Sequence, residues 1–220
     1  MHRPLLALGA ILLAAAAPPA ADWSKTATRS ADGAILVGNP KAPKTLVEYA
    51  SYTCGHCAEF SVEAASELDA QIGAGKVRLE FRHALRDPVD LTAAMLARCA
   101  GPATFLPATK AIYAAQGAWM GKAQSYVAAN EKALAAAAPG AARLMVAKGS
   151  GLLGVVAPLG VTEAKATACL ADKAEQDVLI AQANDAWGAK KIPGTPHFTI
   201  NGTASADNRW PGVRAELAKP

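Results

Sequence analysis

Residues 45–57 read TLVEYASYTCGHC and join two patterns that belong to different secondary structures. The first six residues are rich in β-branched and aromatic side chains, which is typical of a strand. The last four place Cys54 and Cys57 three positions apart. Beyond them, apolar residues recur at every fourth position, at Phe60, Ala64, Leu68 and Ile72. This spacing predicts one apolar face of a helix of about four turns, so both cysteines lie where a strand passes into a helix.

The pattern continues in a regular order after this helix. Gly73 and Gly75 are expected to end it. Residues 77–82 then alternate apolar and charged side chains, which predicts a second strand. A strand, a helix and a strand in this order indicate a parallel crossover unit.

The rest of the chain divides into segments of different character. Residues 22–44 are predicted to be an extended lead-in, and residues 22–89 form the first part of a β/α core. Residues 90–187 are Ala-rich and interrupted by Gly and Pro, and we predict an insertion of four to six helices. Residues 188–220 complete the core with a strand at 197–200, an Asn-Gly hairpin turn and a short final helix.

The placement of Cys54 and Cys57 predicts redox chemistry. A sulfur at a helix N-terminus faces unpaired N–H groups and the positive end of the helix dipole, which favour thiolate over thiol. Cys54 is expected to be the exposed, reactive sulfur and Cys57 its buried resolving partner. A protonated His56 would add positive charge beside Cys54. A stabilised thiolate leaves easily, so the disulfide of this pair would be oxidising.

A zinc site and a purely structural disulfide are the alternatives to redox chemistry for this motif. Zinc could bind Cys54, Cys57 and His56, but structural zinc needs four ligands, and Cys99 and Cys169 each lack a nearby second ligand. A structural disulfide between Cys54 and Cys57 would leave the position of the motif, between a strand and a helix, without a reason. No metal is expected on this basis.

The N-terminus indicates export. Residues 1–21 contain Arg3, an apolar run from 5 to 17 and then small residues with prolines, which is the pattern of a cleaved secretory signal. The run is shorter than the ~20 residues of a membrane span, although an uncleaved anchor is the alternative. The 220-residue chain has a net charge of +4 without Lys/Arg clusters, which argues against binding to nucleic acid.

Several short segments resemble the DsbA-like branch of the thioredoxin superfamily. Residues 47–57 resemble its active-site strand and helix, and FRH at 81–83 with RDP at 86–88 resembles the segment leaving the next strand. GTPHF at 194–198 and ING at 200–202 resemble its cis-proline loop and hairpin. The resemblance implies an α/β, thioredoxin-like fold with an inserted helical bundle. It also implies a protein thiol–disulfide oxidoreductase that needs no cofactor.

The resemblance assigns further residues by position. Pro196 would be the cis-proline, with Thr195 offering its backbone to a substrate peptide and Gly55 in the same substrate-binding region. The alternative is an ordinary trans proline in a turn. Glu48 would be an acid buried beneath the cysteines that exchanges a proton with Cys57, instead of a solvent-facing strand residue. His197 would tune substrate binding or simply cap the loop.

Cys99 and Cys169 lie 70 positions apart within the insertion. In an exported chain we predict that they form a structural disulfide between two insertion helices. Two buried free thiols are the alternative.

The expected function is a monomeric periplasmic oxidase that introduces disulfides into unfolded or reduced exported proteins. A DsbB-like membrane partner would remove the electrons. The dipeptide between the cysteines, Gly55-His56, is also shared with disulfide isomerases, so an isomerase or reductase is the nearest alternative. A non-catalytic binding protein with the same fold is the other. A separate dimerisation module is not expected in the roughly twenty residues between the signal and the Thr45 strand.

Overall fold

A computed structural model describes residues 21–220, so all but the last residue of the predicted signal at 1–21 lies outside the described residues. The strands are β1 (Ala27–Arg29), β2 (Ile35–Val37), β3 (Lys44–Ala50), β4 (Val77–His83), β5 (His197–Ile200) and β6 (Thr203–Ala204). The helices are α1 (Gly55–Gly73), α2 (Pro88–Cys99), α3 (Pro102–Ala114), α4 (Gln116–Ala129), α5 (Glu131–Ala136), α6 (Pro139–Gly149), α7 (Leu152–Val156), α8 (Glu163–Ala171), α9 (Lys173–Asn184) and α10 (Trp210–Leu217).

The strands form one mixed sheet in the order β1-β2-β4-β3-β5-β6. β3 and β4 are parallel and joined through α1, which confirms the predicted crossover unit. β5 runs antiparallel to β3 on its other side. The chain after the insertion therefore returns to lie beside the strand that leads into Cys54.

The lead-in at 22–44 is more structured than predicted, and that prediction was wrong. It contains β1 and β2, which pair with each other and add to the sheet next to β4. Each strand has only three residues, too few to show a clear alternation in the sequence. Ile35 and Val37 of β2 are nevertheless buried, because β2 pairs with β4 within the sheet. The local sequence does not reveal this pairing.

The helix after the cysteines matches the predicted apolar face. Its buried residues are Cys57, Phe60, Ala64, Leu68 and Ile72. They pack in the same core as the inward residues of β4, and the helix ends at Gly73, two residues before Gly75 with φ +72°. The ring centroids of Phe60 and Phe198 in β5 are 4.3 Å apart. Helix α1 therefore packs against the part of the core that follows the insertion as well as the part that precedes it.

The predicted hairpin and final helix are confirmed. Asn201 and Gly202 both have positive φ, 50° and 85°, and connect β5 with its antiparallel partner β6. Two residues with positive φ match the right-handed twist of the strands they join. α10 begins at Trp210 and ends at Leu217.

The insertion contains eight α-helices, α2 to α9, so the predicted number of four to six was wrong. Breaks at Asn130, near Pro139 and at Gly151 cut the Ala-rich segment into pieces as short as the six-residue α5 and the five-residue α7. Thr162 is the N-cap of α8, and its side chain accepts a hydrogen bond from the Lys165 N–H. Eight of the twelve residues of α2 are buried, and the helix contacts α3, α6 and α8.

Within residues 21–220, no individual helix combines the length and hydropathy of a membrane span. Helix α6 and the segment Leu152–Leu159 reach those values only together, and the chain bends by 80° between them.

Candidate active site

The strand-to-helix turn places Cys54 at the N-cap of α1, with extended backbone angles of φ −95° and ψ 119°. Cys57 lies inside the first helical turn, and both cysteines are free thiols. The backbone N–H groups of His56 and Cys57 form hydrogen bonds with the Cys54 sulfur. The local geometry is therefore the one that the sequence predicts for a reactive thiolate.

The surroundings lower the pKa of Cys54 to about 5. The largest cause is a hydrogen bond from the Cys57 side chain, and partial burial opposes it. A Thr195 side-chain hydrogen bond and the two backbone N–H groups lower the pKa further. The Thr195 carbonyl also accepts a hydrogen bond from Cys54 Sγ at 3.1 Å, a contact that only the thiol form can make. The donors outweigh it, so Cys54 is mainly thiolate at neutral pH.

Cys57 has the opposite character. It has no exposed surface, and burial is the first cause of its raised pKa. Its hydrogen bond to Cys54 and the negative charge that develops on Cys54 raise the pKa further. The pair is therefore asymmetric, with the charge on Cys54 and the proton on Cys57.

Cys54 is less accessible than predicted. Only 4% of it is exposed, so the sulfur expected to be exposed is buried by this measure, although Cys57 is buried more completely at 0%. The contact with Thr195 accounts for part of this cover. Gly55, beside it, is exposed, and a side chain there would meet no atom within 4 Å. The approach over Gly55 is consequently open.

The loop before β5 contributes the contact across from the cysteines. The peptide bond between Thr195 and Pro196 is cis, the conformation that the resemblance implies. Antiparallel pairing places His197 opposite Tyr49 in β3, five residues before Cys54. This register brings Thr195, 141 residues away in the chain, to the Cys54 sulfur. His197 is partly buried, and burial lowers its pKa.

Glu48 is buried in the middle of β3, and the solvent-facing alternative does not describe it. It lies between Phe81 of β4 and Phe198 of β5 in the sheet. It lines a cavity of about 30 Å³ together with Phe60 and Tyr113. Burial raises the pKa of Glu48 to about 8, and its charge in turn raises the pKa of Cys57. At neutral pH Glu48 is a protonated acid close to the buried thiol.

His56 contributes more through its backbone than through its ring. The ring is exposed, and Nδ1 lies 3.0 Å from the Glu59 carboxylate. This hydrogen bond is the first cause of the raised pKa of His56, ahead of the charge on Cys54. The expected ring charge is thus shared mainly with Glu59, while the His56 N–H helps to stabilise the Cys54 thiolate directly.

Cys99 and Cys169 are joined by a disulfide, with their Cα atoms 5.8 Å apart. The bond connects α2 with α8 inside the insertion. These two sulfurs are therefore unavailable as zinc ligands for the Cys54 motif.

Asp87 at the start of α2 and two residues of the insertion, Asp90 and Gln116, hold the turn before Cys54, and the sequence did not predict these contacts. Asp90 Oδ1 accepts a hydrogen bond from the Tyr52 N–H at 2.7 Å. Asp87 Oδ2 accepts one from the Thr53 hydroxyl at 2.6 Å. Gln116 Nε2 donates to two carbonyls of the turn. Asp87 followed by a proline is a recognisable helix start, but no local pattern indicates that Asp90 or Gln116 reaches the turn.

A large apolar groove adjoins this turn. Its volume is about 760 Å³, and it lies between α2, α4, α5 and α6. Its walls include Thr53, Pro88, Met120, Val127 and Val146. A smaller cleft of about 120 Å³ is lined by His56, Glu59 and Arg209. Two clefts therefore adjoin the candidate site, one at Thr53 and one at His56.

Comparison of the chain with known proteins yields one family and a consistent group of relatives. The sequence profile of the family described as Thioredoxin matches residues 30–217. A candidate protein-disulfide oxidoreductase of Rickettsia bellii is 28% identical over 188 residues, which cover 84% of this chain and 63% of the relative. The chain therefore spans less than two thirds of the length of this curated relative.

Solved structures show the same architecture. A protein-disulfide isomerase from Novosphingobium aromaticivorans has a TM-score of 0.75 and 28% identity, over 84% of this chain and 97% of that one. The α-DsbA1 of Wolbachia pipientis has a TM-score of 0.61 and 25% identity, over 80% and 76% of the two chains. These neighbours share the thioredoxin-like fold with its helical insertion.

Proposed function

Because the chain belongs to the thioredoxin family, we propose that it is a DsbA-type protein thiol–disulfide oxidoreductase that acts as an oxidase. One observation carries this proposal, which is the asymmetry between Cys54, with a pKa lowered to about 5, and Cys57, with a raised pKa. A stabilised Cys54 thiolate favours the reduced enzyme and makes its disulfide a good oxidant. The names of the relatives and structural neighbours support the protein-disulfide oxidoreductase activity.

The first step transfers a disulfide bond from the enzyme to the client protein. A client thiolate attacks Sγ of Cys54, the Cys54–Cys57 bond breaks, and a mixed disulfide forms between client and Cys54. Cys57 leaves as a thiolate in a buried site that disfavours its charge. Glu48, protonated below a pKa of about 8, supplies the proton that makes Cys57 a neutral thiol.

The second step releases an oxidised client. Another client thiolate attacks the client sulfur of the mixed disulfide, and Cys54 leaves as the thiolate that its N–H donors stabilise. The client has then lost two electrons, and the enzyme holds them as its reduced pair. Renewed turnover requires an oxidant, for which we propose a DsbB-like membrane partner.

The proposed setting is the periplasm, with unfolded or reduced exported proteins as clients and a monomeric enzyme. The predicted signal at residues 1–21 supports export, and the Cys99–Cys169 disulfide is typical of an oxidising compartment. The apolar groove of about 760 Å³ beside the turn is consistent with clients that expose apolar segments.

An isomerase or reductase is the second candidate function. It is favoured by the structural neighbour named as a protein-disulfide isomerase and by the Gly55-His56 dipeptide. The two candidates differ in the reduction potential that they require, because an isomerase must keep a free Cys54 thiolate in its compartment.

The deciding experiment measures the equilibrium reduction potential of the Cys54/Cys57 pair in glutathione buffers. Cys99 and Cys169 are replaced by serine so that only one pair responds. We expect a value near about −120 mV, that of a strong oxidant, whereas a value near about −180 mV would favour the isomerase. A value more reducing than about −220 mV would contradict the oxidase proposal and favour the reductase.

A companion assay follows the oxidation of a reduced, unfolded client. Cys54→Ser should reduce this activity to the uncatalysed rate, because the nucleophilic sulfur is lost. If the variant oxidises or supports its clients as well as the wild type does, the protein is a non-catalytic binding protein instead.

A further inference from the structure

The turn that carries Cys54 is held from the insertion as well as from the thioredoxin core. The Tyr52 N–H donates to buried Asp90, and the Ser51 carbonyl accepts a hydrogen bond from the Tyr113 hydroxyl at 3.3 Å. These contacts join positions that are 38 and 62 residues apart in the chain. The insertion therefore fixes the backbone immediately before the reactive cysteine.

Gln116 makes the contact nearest to Cys54. It is the first residue of α4 and is 9% exposed. Its Nε2 donates to the Tyr52 carbonyl at 2.8 Å and to the Cys54 carbonyl at 2.9 Å. A side-chain amide nitrogen has two hydrogens. Gln116 donates one to the carbonyl of the residue before Thr53 and the other to the carbonyl of the residue after it.

The orientation of the Cys54 carbonyl affects the position of the Cys54 sulfur relative to its N–H donors. Cys54 is the N-cap of α1, and its carbonyl accepts the first helical hydrogen bond, from the Ala58 N–H at 3.3 Å. The orientation of this carbonyl is coupled to that of the peptide plane from Cys54 to Gly55. The following N–H groups, of His56 and Cys57, are those that stabilise the Cys54 thiolate. A shift of the carbonyl would move the sulfur relative to its donors.

We propose that Gln116 is a positioning residue that sets the reactivity of Cys54 from the helical insertion. It acts by holding the Tyr52 and Cys54 carbonyls, and it does not touch the sulfur or a substrate. A neutral amide suits this place, because a carboxylate could not donate to either carbonyl and would oppose the nearby thiolate. The role deepens the proposed oxidoreductase function and rests on it.

The test measures the pKa of Cys54 in reduced protein that otherwise retains its native sequence. The rate of alkylation of Cys54 by iodoacetamide is followed against pH, and mass spectrometry identifies the modified cysteine. Gln116→Met keeps the length of the side chain and removes both donors. Gln124→Met is the matched control, because Gln124 lies two turns further along α4 and is exposed.

We expect Gln116→Met to raise the pKa of Cys54 by about one unit, which lowers the alkylation rate about tenfold at a pH below both values. Gln116→Glu should raise it more, because it adds a negative charge where the amide lies. The reduction potential should become more reducing in the same order, and Gln124→Met should match the wild type in both measurements.

An unchanged Cys54 pKa in Gln116→Met overturns the proposal even if the variant is less stable, because a merely structural residue would alter stability alone. Where Gln116→Met does not fold, Gln116→Asn carries the same test, since it keeps an amide that is one methylene too short to reach both carbonyls. The proposed function fails separately, if the wild-type Cys54 pKa itself is not lowered.

Discussion

The molecule contains two pairs of cysteines that its structure treats in opposite ways. Cys54 and Cys57 are three residues apart, at the N-terminus of α1, and are free thiols of very different pKa. Cys99 and Cys169 are 70 residues apart and are joined between α2 and α8 of the insertion. The comparison shows that the backbone and the burial around each sulfur determine its chemistry, and that the count of cysteines does not.

The difference arises from asymmetry around the active pair. Cys54 receives N–H donors from the first turn of α1, whereas Cys57 is enclosed by the core with Glu48 nearby. Charge is therefore stable on only one of the two sulfurs, and a disulfide between them is easily opened. The insertion pair connects two helices that contact each other, and its function is expected to be structural.

Replacing Cys99 and Cys169 together by serine should have the largest effect on stability and none on chemistry. The bond closes a loop of 70 residues, and loop-closure entropy predicts a loss of about 4 kcal/mol in the free energy of unfolding at 25 °C. Urea denaturation of wild type and variant, with the Cys54/Cys57 pair reduced in both, measures this difference. Client oxidation by the folded variant should equal that of the wild type, and a large fall in the specific rate would show that the two pairs are coupled.

Glu48→Gln should change how the free energy of unfolding depends on pH. It also tests whether Glu48 is the proton donor for the buried Cys57. Burial raises the Glu48 pKa from about 4.3 to about 8, so the folded state keeps a proton that the unfolded state loses in this range. The stability from Glu48 is complete below pH ~4.3 and declines as pH rises to 8. Gln stays neutral, so the variant should be more stable than wild type by up to about 3 kcal/mol at pH 7, and no more stable at pH 4.

Denaturant midpoints between pH 4 and pH 9 test this expectation, with exposed Glu63→Gln as the control on α1. If the gain in stability of Glu48→Gln over the wild type were the same at every pH, Glu48 would be ionised in the folded protein. The same variant should also oxidise clients more slowly, because Cys57 then leaves without a nearby proton donor.

Thr195→Val should have the smallest effect and acts on the exposed side of the active pair. The variant keeps the shape of the side chain and removes the hydrogen bond that helps to lower the Cys54 pKa. We expect that pKa to rise by about one unit, as measured by the pH dependence of alkylation. Thr199→Val, in the strand β5 that follows the Thr195 loop, is the control and should not change it. An unaltered pKa in Thr195→Val would leave the helix N-terminus and Cys57 as the main sources of the effect.

Local sequence patterns predicted the core elements well. The four-residue spacing along α1, the alternation in β4 and the Asn201-Gly202 turn each have a period or a backbone requirement that one segment expresses by itself. The patterns failed where the signal was weak. The strands β1 and β2 have three residues each, and the Ala-rich insertion favours helix throughout without marking each of its breaks.

The sequence by itself determined the Cys54–Cys57 motif, its position at the start of a helix, and hence the thiolate-stabilising N–H groups, because these depend on neighbours within one turn. Only the tertiary structure brought Thr195, Glu48 and Gln116 to the same place. Their positions depend on strand register and on how the insertion packs against the turn. No local sequence period encodes contacts between residues that are 62 or 141 positions apart. The complete site therefore depends on the folded core, and the motif alone does not form it.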